Sequence, residues 1–187
     1  MNEEESYFYT LLLLRGRNIK RKNHFIVTVK EDLLFEKCIN FLLSKNISFS
    51  TFTENRIYLQ KKDFIPFGYS DNREEKNILF QGDNRAVARG ILDSLWSSSA
   101  ITIRRGDLSI NVTQNLNIVR LFGNIVRKEL KIPAYITNFS RRSRKISKKI
   151  SYSGEQSIEI LRWLYNDCGL CYKESSLDYY KLVGKRK

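Results

Sequence analysis

At 187 residues, 42% of them hydrophobic and 12% aromatic, the chain holds enough apolar side chain for one sizeable core or two smaller ones, which excludes wholesale disorder. Its 33 Lys and Arg against 20 Asp and Glu leave a formal charge of +13, a surface field whose natural counterpart is a polyphosphate. No apolar run approaches the ~20 residues of a membrane span, and Glu3, Glu4 and Glu5 carry the wrong sign for a secretory leader.

Ser6 to Arg15 reads as an apolar helix. A short strand at Arg17 to Arg21 leads to a second at His24 to Lys30, where Phe25, Val27 and Val29 recur with period two. Asp32 is placed to cap a helix containing Leu33, Leu34, Cys38, Ile39, Leu42 and Leu43. Phe49 to Thr53 and Arg56 to Gln60 then pair around Glu54-Asn55. From about Asp63 to Gly82, Pro66, glycines and mixed charge mark a connector. Asn84 to Trp96 is again helical, with Ala86, Val87, Gly90, Ile91 and Leu95 as its apolar stripe. Ile101 to Arg105 and Leu108 to Thr113 alternate around a Gly106-Asp107 turn, a hairpin signal. Asn115 caps a helix in which Leu116, Val119, Leu121, Phe122, Ile125, Val126 and Leu130 keep helical spacing, and Pro133 stops it. Ala134 to Phe139 and Lys145 to Tyr152 form another strand pair. A helix from about Glu155 to Asp167 and a short closing helix from Ser175 to Val183 complete the chain.

The order is therefore αββαββ followed by αββαββα, an α+β fold of two pseudo-symmetric units. Each unit is a four-stranded antiparallel sheet with helices on one face. Phe25-Ile-Val-Thr-Val-Lys-Glu-Asp-Leu lies pattern for pattern on Leu108-Ser-Ile-Asn-Val-Thr-Gln-Asn-Leu. The expected units are 1–75, with the connector from about 63, and 76–187. An internal pseudo-twofold suits a near-palindromic duplex and predicts a self-sufficient monomer.

Cys38, Cys168 and Cys171 are too few and odd in number for a disulfide framework. Cys168-Gly-Leu-Cys171 has metal or redox spacing, yet neither a second pair nor a nearby histidine completes a zinc site, and His24 is distant. No metal and no cofactor is expected, and the cysteines read as structural.

Strand periodicity divides each sheet into a helix-facing and an outward set. In the second unit Ile101, Ile103, Leu108, Ile110 and Val112 face the helices. Thr102, Arg104, Ser109, Asn111, Thr113, Tyr135, Thr137, Arg141, Lys145, Ser147 and Lys149 face outward. Thr28 and Lys30 are their counterparts in the first unit. Such hydroxyl, amide and guanidinium groups suit base edges in a major groove. A sheet with one wet face needs polar residues anyway, so charge decides. Arg141, Arg142, Arg144, Lys145, Lys148 and Lys149 share one acid-free hairpin, and Arg15, Arg17, Lys20, Arg21 and Lys22 crowd the early one. Like charge concentrated on paired hairpins repels itself unless phosphates neutralise it.

Ala88-Arg-Gly-Ile-Leu-Asp-Ser-Leu-Trp96 resembles the LAGLIDADG motif of homing endonucleases, with Gly90 and Asp93 at its third and sixth positions. The element order behind it, and Leu161-Arg-Trp-Leu-Tyr165 followed by Tyr172-Lys-Glu, resemble that family as well. The resemblance covers Asn84 to Val183, and Ser6 to Gln60 by pattern. It implies two motif helices packed through small residues (Gly90 and Asp93 at the seam) and two sheets forming a saddle over a major groove. It also implies where metal-binding acids should stand, and there the chain departs. The eighth position is Leu95 in one motif and, with Thr10-Leu-Leu-Leu-Leu-Arg-Gly16 aligned, Arg15 in the other. Metal-assisted hydrolysis needs hard oxygen ligands, which leucine and arginine do not offer.

The expectation is thus an intracellular, cytoplasmic protein, nucleoid-associated if bacterial or phage-encoded, that binds duplex DNA in a sequence-specific way without cutting it. A regulator of transcription or of a mobile element fits. Structured RNA, as for a splicing maturase, and an active endonuclease with relocated acids are the alternatives. Arg15 is expected to hold a phosphate directly, where a metal would otherwise have bridged the backbone.

Overall fold

A computed structural model describes residues 1–19, 22–53, 55–70, 82–95, 101–104, 107–140 and 146–166. The first helix, α1, spans Glu3–Arg15 and starts earlier than its apolar run predicts. Asn2 and Glu5 form a reciprocal capping box, each side chain bonded to the other's backbone N–H, which satisfies the helix's first orphan donors. Strands β1 (Arg17–Asn18) and β2 (His24–Thr28) follow, then α2 (Asp32–Ser44), β3 (Phe49–Ser50) and β4 (Arg56–Gln60). Asp32 is not the cap expected of it. It is the first helical residue, and the capping position falls to Glu31, which makes no capping bond because its carboxylate is engaged elsewhere.

The segment expected to begin a connector instead folds back as two short 3-10 turns, Lys61–Asp63 and Ile65–Phe67. Phe64 and Tyr69 are buried there against Phe25, and Phe67 stacks on Tyr9 with ring centres 3.9 Å apart. Phe64, Phe67 and Tyr69 therefore belong to the first core.

The second unit repeats the plan with α3 (Asn84–Ser94), β5 (Ile101–Arg104), β6 (Asp107–Gln114), α4 (Leu116–Leu130), β7 (Ile136–Ser140), β8 (Ile146–Ser153) and α5 (Gly154–Tyr165). Asp83 caps α3 and Asn115 caps α4 through side-chain oxygens. Asp107, expected at a hairpin tip, is a strand residue paired with Arg104. Strand order is β1-β2-β4-β3 in one sheet and β5-β6-β8-β7 in the other, with every pairing antiparallel, so the two units share one topology. The expected closing helix, Ser175 to Val183, lies outside the described residues, as do Cys168 and Cys171.

Each sheet packs its helix-facing set into its own core. Phe25, Val27, Ile57 and Leu59 lie beneath α2 and α1, and Leu108, Ile110, Val112, Ile150 and Tyr152 beneath α4 and α5. The motif helices are exceptional in being buried all round. Residues 6–13 of α1 and 86–94 of α3 are inaccessible without a break, because each packs the core of its own unit on one side and the other helix on the opposite side. No helix among the described residues is long and apolar enough to cross a membrane.

Burial also sets an alkaline limit. Cys38 is fully enclosed and its thiol is pushed up to about 12 from an ordinary 9.0, with Arg15 pulling the other way. Burial, and then the Asp93 charge, raises the Tyr7 phenol well above its ordinary 10.0. Both groups hold their protons more tightly folded than unfolded, so the stability they contribute is intact at neutral pH and is lost on going up. The thermal midpoint should fall as pH rises from 9.0 toward 12, and Cys38→Ala should remove the first part of that fall. A midpoint flat across this window would refute the assignment.

Candidate nucleic-acid interface

The outward faces of the two sheets follow from strand register. In the second sheet Thr102 faces Ser109, Asn111 faces Ser151, and Lys149 sits between Thr113 and Thr137, with Ser147 one step along β8. Neighbouring side chains tie this surface together: the Thr102 and Ser109 hydroxyls lie 2.7 Å apart, and Ser151 donates to Asn111 at 3.0 Å. On the other face of β8, in phase with the buried Ile150, Lys148 donates to Asn138 at 2.6 Å. Tyr135 is exposed just ahead of β7. Arg104 belongs to β5, its side chain outside the described set. Arg141, Arg142, Arg144 and Lys145, together with Lys20 and Arg21, lie outside the described residues.

In the first sheet Arg17 is opposite Ile26, Ile26 opposite Tyr58, and Tyr58 opposite Ser50. Thr28 faces Arg56, and His24 faces Gln60. Arg17, Lys22, Lys30 and Arg56 are exposed around this face. Ile26, Arg56, Tyr58 and Gln60 are surface groups that the sequence reading missed. The alternation Arg56-Ile-Tyr-Leu-Gln60, with Ile57 and Leu59 buried, carries the signal that would have found them.

Between the sheets, α1 and α3 cross at Thr10 and Gly90. A Cβ added at Gly90 would stand 2.9 Å from the Thr10 Cβ and 2.9 Å from the Tyr7 carbonyl oxygen, so only glycine permits this approach. Asp93, buried beside the crossing, accepts hydrogen bonds from the Tyr7 hydroxyl at 3.0 Å and the Tyr165 hydroxyl at 2.7 Å. Arg89 is fully buried, 3.0 Å from Glu3 and 5.1 Å above the Tyr7 ring.

Arg15 corrects an expectation. Rather than pointing at a phosphate, its guanidinium is buried, with a side chain 2% exposed. It grips Glu31 through two bonds, 3.0 and 3.2 Å, and donates to the Asp93 carbonyl at 2.8 Å. The reason is the low-dielectric base of the helix pair: a cation there is stabilised by a paired carboxylate and a carbonyl, and Glu31 at the start of α2 supplies the first.

A divalent cation does not fit this place. The two motif ends offer a guanidinium and the buried, apolar Leu95, where such an ion needs several oxygen ligands. Two carboxylates at this end of the helices are engaged, Glu31 by Arg15 and Asp93 by two tyrosines. Among the described residues no group of three His, Cys, Asp or Glu is placed to hold a metal.

Two sheets forming paired outward faces, joined by crossed helices with a glycine at the contact, define a LAGLIDADG fold. The chain is similar in structure to the homing endonuclease I-DmoI in complex with DNA and Ca, with a TM-score of 0.58 at 14% identity over 97% of this chain and 100% of that one. It is also similar to the N-terminal LAGLIDADG domain of DUF199/WhiA, with a TM-score of 0.53 at 15% identity over 97% of this chain and 88% of that one. Full-length DUF199/WhiA from Thermatoga maritima gives 0.53 at 14% identity, and the chain, 99% covered, spans 61% of its length. No family model and no curated protein matches the sequence.

Proposed function

We propose that this chain is a sequence-specific duplex-DNA-binding protein that holds its target across both sheets and does not cut it, acting as a regulator of transcription or of a mobile element inside the cell. The observation that carries the reading is the pairing of two features. The outward faces offer hydroxyls, amides and cations in register, while the motif ends carry a buried Arg15, paired with Glu31, and Leu95 where hydrolysis would need metal-binding acids. The +13 charge supports a polyanionic partner, and the solved complex of I-DmoI with DNA supports a duplex in this fold. The two repeated units in one chain support a monomer that binds alone.

The test is selection of bound duplexes from a random pool at two salt concentrations, followed by incubation of the enriched duplex with Mg²⁺. Enrichment of one sequence without cleavage is the expected result. Strand breaks that require Mg²⁺ would defeat the non-cutting part of the reading. A salt slope without enrichment would reduce the function to phosphate binding, and preferential competition by structured RNA would redirect it to RNA. Lys149→Ala should weaken binding to all duplexes alike and lower the salt slope by about 1 if the amine contacts a phosphate, read by titration at several salt concentrations.

A further inference from the structure

The two outward faces share a strand order and a central antiparallel ladder, and differ in chemistry. Aligning β2 with β6 places Ile26 where the second sheet has Ser109, and the partner strands place Tyr58 where it has Ser153. One unit thus carries an aliphatic–aromatic pair at the positions where the other carries two serines. The fold itself does not demand apolar groups there, because the serine version forms the same ladder. Phe52, just past β3, extends the pair: it is 76% exposed and meets Tyr58 edge-on, ring centres 5.2 Å apart. Arg17 and Arg56 flank the patch in adjacent register positions.

A phenylalanine left this exposed beside a sheet face, at the bend after β3, calls for an occupant. Three side chains form far too small a surface for a stable protein interface, which takes about 800 Å² from each partner. The flanking guanidiniums match a polyanion. A duplex major groove supplies phosphates for them and one apolar group on its floor, the thymine 5-methyl, which side chains such as phenylalanine read by contact.

We propose that the first unit reads its half of the target through thymine methyl groups, with Phe52 and Tyr58 as the contacting side chains and Ile26 beside Tyr58 on the neighbouring strand, while the second unit reads its half by hydrogen bonds. This rests on the duplex-binding function proposed above. It makes the two half-sites chemically unequal, one sensitive to the loss of methyl groups and one not.

The enriched duplex, synthesised with thymine and again with uracil in one half or the other, separates the possibilities. Uracil in one half alone should weaken binding about fivefold, the scale of a buried methyl or two, and uracil in the other half should leave it unchanged. Phe52→Ala, at a position 76% exposed, should weaken the thymine duplex and shrink the difference between thymine and uracil, and Phe52→Ala with Tyr58→Ala should abolish it. Irradiation of a 5-iodouracil duplex should crosslink the peptide holding Phe52 and Tyr58. Equal affinity for all the duplexes, or a Phe52→Ala/Tyr58→Ala variant that still distinguishes them, overturns the inference while leaving duplex binding intact. A pool that enriches no sequence overturns the site-specific reading first, and this one with it.

Discussion

Glu31→Ala should destabilise the fold by about 3–5 kcal/mol, the cost of stranding a buried charge. The Arg15 head lies among buried side chains with the Glu31 carboxylate on two of its nitrogens and the Asp93 carbonyl on one. Truncating Glu31 removes the carboxylate that neutralises this cation and leaves the charge in its buried place. Urea unfolding should therefore show an earlier midpoint with an unchanged slope. Arg15→Met in the same chain should recover much of the loss, since methionine fills the space without a charge and the partly exposed Glu31 side chain hydrates when unpaired. A Glu31→Ala cost below about 1 kcal/mol would match an ordinary exposed ion pair and sink the buried-charge account.

Gly90→Val should be nearly as damaging, on the order of 3 kcal/mol. One of the atoms that an added Cβ would meet is the Tyr7 carbonyl oxygen, which is backbone and moves only if α1 moves. Because α1 and α3 are enclosed on both sides, separating them disturbs both cores together. Thr10→Gly in the Gly90→Val background should restore part of the stability by removing the Thr10 Cβ contact, though not that with the Tyr7 carbonyl. A denaturation midpoint equal to that of the parent would mean the helices do not cross where the structure places them.

The repeat was legible because β2 and β6 each carry an uninterrupted period-two pattern ending in a helix start, so topology and helix-facing residues followed from spacing alone. Helix α1 began earlier than expected because its first turn is polar. Its start is written in Asn2 and Glu5, a capping pair visible in the sequence but overshadowed by the acidic run it belongs to. The inward turn of Arg15 was not legible. An arginine at a helix end faces solvent or core depending on what lies beside it in three dimensions, and its partner is 16 positions away in the next helix's cap. Asp93 was placed near the helix end by the motif, whereas its tyrosine partners, 86 and 72 positions distant, belong to tertiary structure. The outward face of the first sheet was readable in principle. Its Ile26 and Tyr58 were passed over because apolar groups on a wet face contradict the usual alternation.

The crossing at Thr10 and Gly90 makes the two units into unlike halves that select each other. Two copies of the first would set threonine against threonine where there is room for one side chain. Two copies of the second would meet glycine to glycine and strip each Arg89 of the Glu3 carboxylate that α1 brings to it. Mismatched self-association is thereby disfavoured at the same spot that joins the correct pair, and a duplicated ancestor that acquired this difference could no longer separate into interchangeable subunits.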